Sequence, residues 1–176
     1  MSVGPRTRVP FRRRREGRTD YRSRLALLKS GETRVVVRRT NGNVIVQFVD
    51  WAEEGDKVLA SATARELAKM GWSHSPKSTP AAYLTGLLAG QRAAQQGIAD
   101  AVLDIGRHAP VRGSKVFAAL KGVLDAGVDV PHGDEERIFP AEERVTGSFL
   151  DQKKDFDAVR AKIGVAPAAK SIDEEE

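Results

Sequence analysis

Arginine is the residue type in this sequence whose number and spacing most plainly suggest chemistry. Arg12, Arg13, Arg14, Arg15, Arg18 and Arg22 fall within eleven residues, and Arg24 follows. A guanidinium is permanently charged and planar, and its forked N–H groups grip a phosphate through two bonds at once. Like charges this crowded repel one another unless a polyanion compensates them, so the segment reads as a binder of nucleic acid in preference to a solvated charge run. Each phosphate neutralised would release counterions, weakening binding by about 0.7–0.9 log units in affinity per tenfold rise in salt. Such contacts position a protein and read little sequence; folded RNA supplies specificity through shape and splayed bases. Phe11 and Tyr21 are aromatic rings that could stack on those bases, although core packing is the favoured role for Tyr21.

A second basic group, "GRHAPVRGSK", brings Arg107, His108, Arg112 and Lys115 between a short apolar strand and the start of a helix. Loops at the carboxyl ends of strands carry function in open α/β sheets, and a helix N-terminus favours phosphate. The spacing is not that of a P-loop. His74, His108 and His132 lie far apart without ligand spacing, and cysteine is absent, so neither a metal site nor a disulfide framework is expected. No cofactor motif and no Ser-His-Asp or Cys-His arrangement is present. A metal-dependent nuclease of the ribonuclease-H-like kind is the enzymatic alternative, with Asp104 as one carboxylate. Its first strand would have to supply another, but "RVVVRRT" holds only Arg, Val and Thr. No catalytic residue is assigned.

The charge is polarised. Residues 1–40 carry thirteen Lys or Arg, twelve of them arginine, against three acidic residues; the remainder carries sixteen against twenty-one. A basic end on a mildly acidic body is the electrostatic footprint of a polyanion binder. The 176 residues, 40% hydrophobic, suffice for one core with arms. Neither a signal-peptide core nor a membrane span is present, which predicts an intracellular, soluble protein.

The elements that must hold these residues follow from periodicity. Residues 1–11 lack an apolar period and read as an extended arm. One helix is predicted over 12–29, with Arg15, Arg18 and Arg22 on one face and Tyr21, Leu25 and Leu28 as the adjacent anchor. Strands are predicted over 33–40, 43–50 and 57–61, the first two joined at Asn41-Gly42 as a hairpin. A short helix follows in "TARELAKMG", then a helix over 80–96 entered through Thr79-Pro80. A buried strand over 100–106, a helix over 115–126 capped by Ser114, and a last strand in "VDV" complete the body. Gly86 and Gly90 give the long helix a small-residue strip, read as close backbone packing. Another helix is predicted over 151–163, and "SIDEEE" reads as an acidic disordered tail. The order, a three-strand antiparallel meander then β-α-β-α-β, defines an α/β layered sandwich with a mixed sheet. Three regions result: a basic arm and helix over 1–30, an α/β body over 31–131, and an extension over 132–176.

The blocks "RVPFRRRREGRTDYRSRLALLKSG", "STPAAYLTGLLAG" and "LDIGRHAPVRGSKVFAALKGVLDAG", followed by "VPHG", closely resemble the archaeal and eukaryotic branch of the universal large-subunit ribosomal protein eighteen family. The resemblance spans about Gly4 to Gly133. It implies a ribonuclease-H-like topology without catalytic carboxylates, and a structural role in the central protuberance of the large subunit. It implies binding to 5S rRNA and its attachment to large-subunit rRNA of the 23S type, beside a ribosomal protein five homologue. A cytoplasmic location, no membrane contact and no homo-oligomer follow from the same resemblance. Carried onto this sequence, the RNA-binding residues are Phe11, Arg12, Arg13, Arg14, Arg15, Arg18, Arg22 and Arg24, then Arg107, His108, Arg112 and Lys115. The arm from Gly4 to Pro10 would thread between RNA elements, and the second hairpin strand would face RNA. The sequence departs from archaeal relatives at the hairpin tip, where Thr40-Asn41-Gly42-Asn43 lacks a cation, and from Asp134 onward. Another structured RNA is the alternative ligand.

Overall fold

The computed structural model describes residues 4 and 8–164. Most of the predicted arm and all of "SIDEEE" therefore lie outside the described residues. Four strands form a mixed sheet in the order β3-β2-β1-β4. β1 (Arg34–Arg39) and β2 (Val44–Asp50) are antiparallel, with Arg39 opposite Val44. The Asn41-Gly42 turn closes that hairpin as expected, and Thr40 N–H donates to the Asn43 carbonyl at 2.9 Å. β3 (Lys57–Thr63) continues the meander, while β4 (Val102–Asp104) lies parallel to β1. The fifth strand predicted at "VDV" is reduced to one parallel bridge between Asp100 and Asp129. Pro131 follows at once and removes a ladder donor, so the pairing stops there.

Seven α-helices are defined among the described residues: α1 (Arg12–Arg15), α2 (Tyr21–Leu28), α3 (Thr79–Gln95), α4 (Lys115–Asp125), α5 (Glu135–Ile138), α6 (Glu142–Thr146) and α7 (Lys153–Ile163). The segment "ELAKM" is a 3₁₀ turn over Glu66–Met70, not an α-helix. α3 begins one residue earlier than its Thr-Pro signal suggested, because the Ser78 hydroxyl accepts from Ala81 N–H at 3.3 Å. α3 lies over β2 and β3 and α4 over β1, so the two helices cover one face of the sheet. Between them Val35, Val37, Val46 and Phe48 meet Leu84, Leu87, Leu120 and Val123, all fully buried. Burial of each such side chain contributes about 1.5–3 kcal/mol.

The glycine strip does what close packing requires. A Cβ at Gly86 would stand 2.8 Å from the Ala119 carbonyl carbon and nearer still to its oxygen, and one at Gly90 would meet the Ala126 methyl at 2.6 Å. Helix backbones this close cannot admit a methyl without moving apart. Gly86→Ala should therefore destabilise by about 1–3 kcal/mol through overpacking, after its helix-propensity gain of about 1 kcal/mol has been absorbed. Urea unfolding of the variant checks this; a rise in stability would show that α3 and α4 separate freely.

The predicted C-terminal helix is present as α7, which buries Phe156, Val159 and Ile163. The Phe156 ring lies 5.4 Å from that of Tyr83 on α3, and Lys162 Nζ donates to the Met70 carbonyl at 2.7 Å.

The predicted single helix over 12–29 is two helices. Gly17 takes φ +62° after α1, and Asp20 starts α2 by accepting from the N–H groups of Arg22 and Ser23. An N-cap with a glycine just before it outweighs helical periodicity here. The shared face of Arg15, Arg18 and Arg22 therefore does not exist. The anchor also differs: α2 buries no residue, Tyr21 and Leu25 are exposed, and Arg24, Leu27 and Leu28 are the partly covered positions. Tyr21 is thus no core residue.

Candidate nucleic-acid interface

Because strand side chains alternate, Arg34, Val36 and Arg38 of β1 project to the face opposite α3 and α4. Arg34 is 1% exposed. A guanidinium so deep survives only if carboxylates and hydrogen bonds replace water. Its Nη1 donates to Asp104 Oδ2 at 3.3 Å, its Nη2 lies 3.0 Å from Asp56 Oδ2, and its Nε has no hydrogen-bond partner among the described residues. Asp104 closes the strand with every acceptor in use: Oδ1 takes Arg38 Nη2 at 2.9 Å and Gly106 N–H at 2.8 Å, and its carbonyl takes Arg38 Nη1 at 2.7 Å. Gly106, at φ +62°, permits this, since a Cβ there would meet the Arg38 guanidinium carbon at 2.8 Å.

The chain of charges continues outward. Arg24 Nη2 on α2 donates to both oxygens of Asp56, at 2.8 and 2.9 Å. Burial alone would raise the Asp56 carboxyl, but the guanidinium groups of Arg34 and Arg24 outweigh it and hold the carboxyl below its ordinary 3.8. Arg24, Asp56, Arg34, Asp104 and Arg38 thus alternate in sign and join α2, the β2–β3 turn, β1 and β4. This chain seats α2, which has no buried apolar residue to do so.

The result is a cleft of about 940 Å³ lined by Arg13, Arg18 and Arg24 from the amino-terminal segment, Arg38 from β1, and Arg107 and His108 from the loop after β4. Two groups almost a hundred residues apart therefore meet. Arg107 lies against the Gly17 turn, where a Cβ would stand 2.5 Å from its Nη1. Arg13 is drawn inward by Thr19, whose hydroxyl accepts from its Nε at 2.9 Å. Phe11, Arg12, Arg14, Arg15 and Arg22 remain outside the cleft and exposed, as does Arg112. Phe11 is 80% exposed at the start of α1, a ring with no packing role.

His108 is a latch. Its Nε2 accepts the Arg39 N–H at 3.2 Å, tying the loop to the end of β1. Burial, then the charges of Arg39 and Arg38, hold the imidazole below its ordinary 6.5, so it is neutral at pH 7 and no cation for phosphate. The sign follows: with the folded-state value depressed, the contribution to stability is complete above about 6.5 and is lost as pH falls through the folded value. A proton NMR titration should place the His108 midpoint below 6.5, with faster Arg39 amide exchange on the acid side. A midpoint above 6.5 would contradict the latch.

Lys115 opens α4 beside the same loop. Burial, then the charges of Arg39, Lys77 and Arg144, hold its ammonium below the ordinary lysine range. The Ser114 hydroxyl, at the N-cap as expected, makes no capping bond. Unrelieved positive charge gathers here.

Sequence reading missed Arg34, Arg38 and Asp56. Alternate arginines on a strand were visible, but their partners lie up to 70 residues away. Asp104, the candidate metal carboxylate, is spent on two arginines and an amide. No group of three or more His, Asp or Glu among the described residues could hold a metal ion. No helix among them is long and apolar enough to cross a membrane.

The mixed α/β sheet thus has its β4-end carboxylate engaged by two arginines and guanidinium groups gathered at its rim. Comparison with known proteins gives the family. The family described as "Ribosomal large subunit proteins 60S L5, and 50S L18" matches residues 5–100 and 93–133. The protein named large ribosomal subunit protein uL18 from Korarchaeum cryptofilum is 56% identical over 150 residues, 85% of this chain and 76% of that protein. Those of the same name from Aeropyrum pernix and Methanothermobacter thermautotrophicus are 56% and 51% identical, over 86% and 85% of this chain and 71% and 77% of their own lengths. The chain belongs to this family of large-subunit ribosomal proteins, which is structural and not enzymatic.

Proposed function

We propose that this protein binds 5S rRNA and helps attach it to the large-subunit rRNA in the central protuberance of a cytoplasmic ribosome. The observation that carries the reading is the meeting of Arg13, Arg18, Arg24, Arg38 and Arg107 around one cleft on a chain of this family. A folded RNA edge entering the cleft would place phosphates against the Arg24 and Arg38 guanidinium forks, which Asp56 and the buried Asp104 already orient, so little side-chain entropy is lost there on binding. Arg12, Arg14, Arg15 and Arg22 would meet a neighbouring strand, and the exposed rings of Phe11 and Tyr21 would stack on unpaired bases. Arg112 and Lys115 would serve a second segment, with phosphate relieving the crowding of Lys115 by Arg39, Lys77 and Arg144. His108 would hold the loop without contributing charge. A ribosomal protein five homologue would share the 5S rRNA.

In this reading residues 1–30 are the RNA-gripping arm, 31–131 a body of ribonuclease-H-like topology stripped of its chemistry, and 132–176 an extension. A filter-binding titration tests it: 5S rRNA should bind at least tenfold more tightly than an unrelated folded RNA of equal length at the same salt. Equal affinities would favour a general structured-RNA binder instead.

A further inference from the structure

A different surface remains unexplained by RNA. The β2–β3 turn, "DWAEEGDKV" from Asp50 to Val58, carries four carboxylates and one lysine on a chain of net positive charge. Trp51 is 59% exposed and Val58 is 49% exposed, while the chain's other tryptophan, Trp72, is buried at 4%. The acids divide into two kinds. Asp56 is engaged by Arg24 and Arg34, and Asp50 Oδ1 accepts from the Thr33 hydroxyl at 2.7 Å. Glu53 and Glu54 are exposed and form no ion pair among the described residues.

An indole beside two free carboxylates repels a phosphate backbone and attracts a cation. Tryptophan is the best of the aromatic faces for an arginine or lysine, the more so when the pair is desolvated. The neighbouring edge of the sheet narrows the partner further. β3 is an edge strand, yet its outward carbonyls at Leu59 and Ser61 are taken by Gln96, just past the end of α3, and by Arg92 of α3. A partner therefore cannot pair with the edge as an added strand, and must dock through side chains.

We propose that the Trp51–Glu53–Glu54 turn is a docking site for a basic, arginine- or lysine-bearing segment of a neighbouring protein in the assembled large subunit, with a cation over the Trp51 ring and the two carboxylates beside it. This goes beyond the RNA reading and places a protein contact on a turn whose residues do not line the cleft. It predicts that the two surfaces respond to different substitutions.

Site-specific photo-crosslinking in large subunits assembled in cells tests it. A benzophenone amino acid replaces Trp51 in one tagged version, Glu54 in a second and Phe11 in a third. The expected result is a protein crosslink from positions 51 and 54, mapped by mass spectrometry to a Lys/Arg-rich segment, and an RNA crosslink from position 11. Glu53→Lys with Glu54→Lys should cut the yield from position 51 at least fivefold. RNA crosslinks from 51 and 54 would overturn the proposal, as would a protein segment without basic residues, or no product from either position while position 11 crosslinks RNA. Failure of position 11 alone would count against the RNA reading and leave the turn's result standing.

Discussion

Asp104→Ala is expected to lower the unfolding free energy by about 3–5 kcal/mol, because it strands a buried guanidinium without its buried counter-charge. Arg34 has 1% exposure and cannot turn to water, and Asp56 alone, shared with Arg24, would have to balance it. For a domain of this size the loss corresponds to a fall in melting temperature of roughly 6–20 °C. The damage is electrostatic more than volumetric, and a second variant separates the two. Arg34→Met combined with Asp104→Leu removes both members of the pair and fills the space with apolar atoms, and such replacements are commonly neutral to within a few kcal/mol. Denaturant unfolding of both variants should show the double replacement more stable than Asp104→Ala. If Asp104→Ala unfolds with the parent, the alternating chain of charges contributes nothing and α2 is seated by other means.

The second large effect concerns binding, at no cost in folding. α1 buries no residue, and its one helix-spaced ion pair, Arg12 with Glu16 at 3.8 Å, is an exposed contact of little worth. Alanine at Arg12, Arg13, Arg14 and Arg15 together should leave the melting temperature nearly unchanged. RNA affinity should fall on the order of a thousandfold near physiological salt, taking about 1 kcal/mol for each charge-assisted contact. The slope of log affinity against log salt should become shallower by about 3, since four phosphate contacts are lost. Titrations at several salt concentrations measure both quantities. A variant with parental affinity and slope would remove α1 from the interface.

What could be read in the sequence was whatever is local. The Asn41-Gly42 hairpin needs only its own turn residues and flanking β-branched runs, and α3 and α4 announce themselves through caps and apolar spacing. The strip of Gly86 and Gly90 was legible as a close contact because few other roles suit glycine inside a long helix. The break between α1 and α2 was equally local and still missed, since the helical periodicity was followed straight through the stop at Gly17 and the cap at Asp20. The arginine-rich end was legible as a function, but its geometry was not. That Arg13 and Arg18 face Arg107 depends on how α2 is held, and α2 is held by Arg24 on Asp56, 32 residues away. Non-local pairs of charged residues leave no periodic trace, so Arg38 entered the cleft unannounced. Asp104, read as the lone carboxylate of a failed nuclease, proved to be the residue that orients it.

Guanidinium groups from the amino-terminal segment and from the loop after β4 converge at one cleft, where a folded RNA is proposed to neutralise them together. A cryo-electron microscopy map of the large subunit containing this protein tests that most directly. The prediction is RNA phosphates within hydrogen-bonding distance of Arg13, Arg18 and Arg107, with Phe11 or Tyr21 against a base. A map in which the cleft opens onto solvent, its arginines unpaired in the assembled particle, would contradict it.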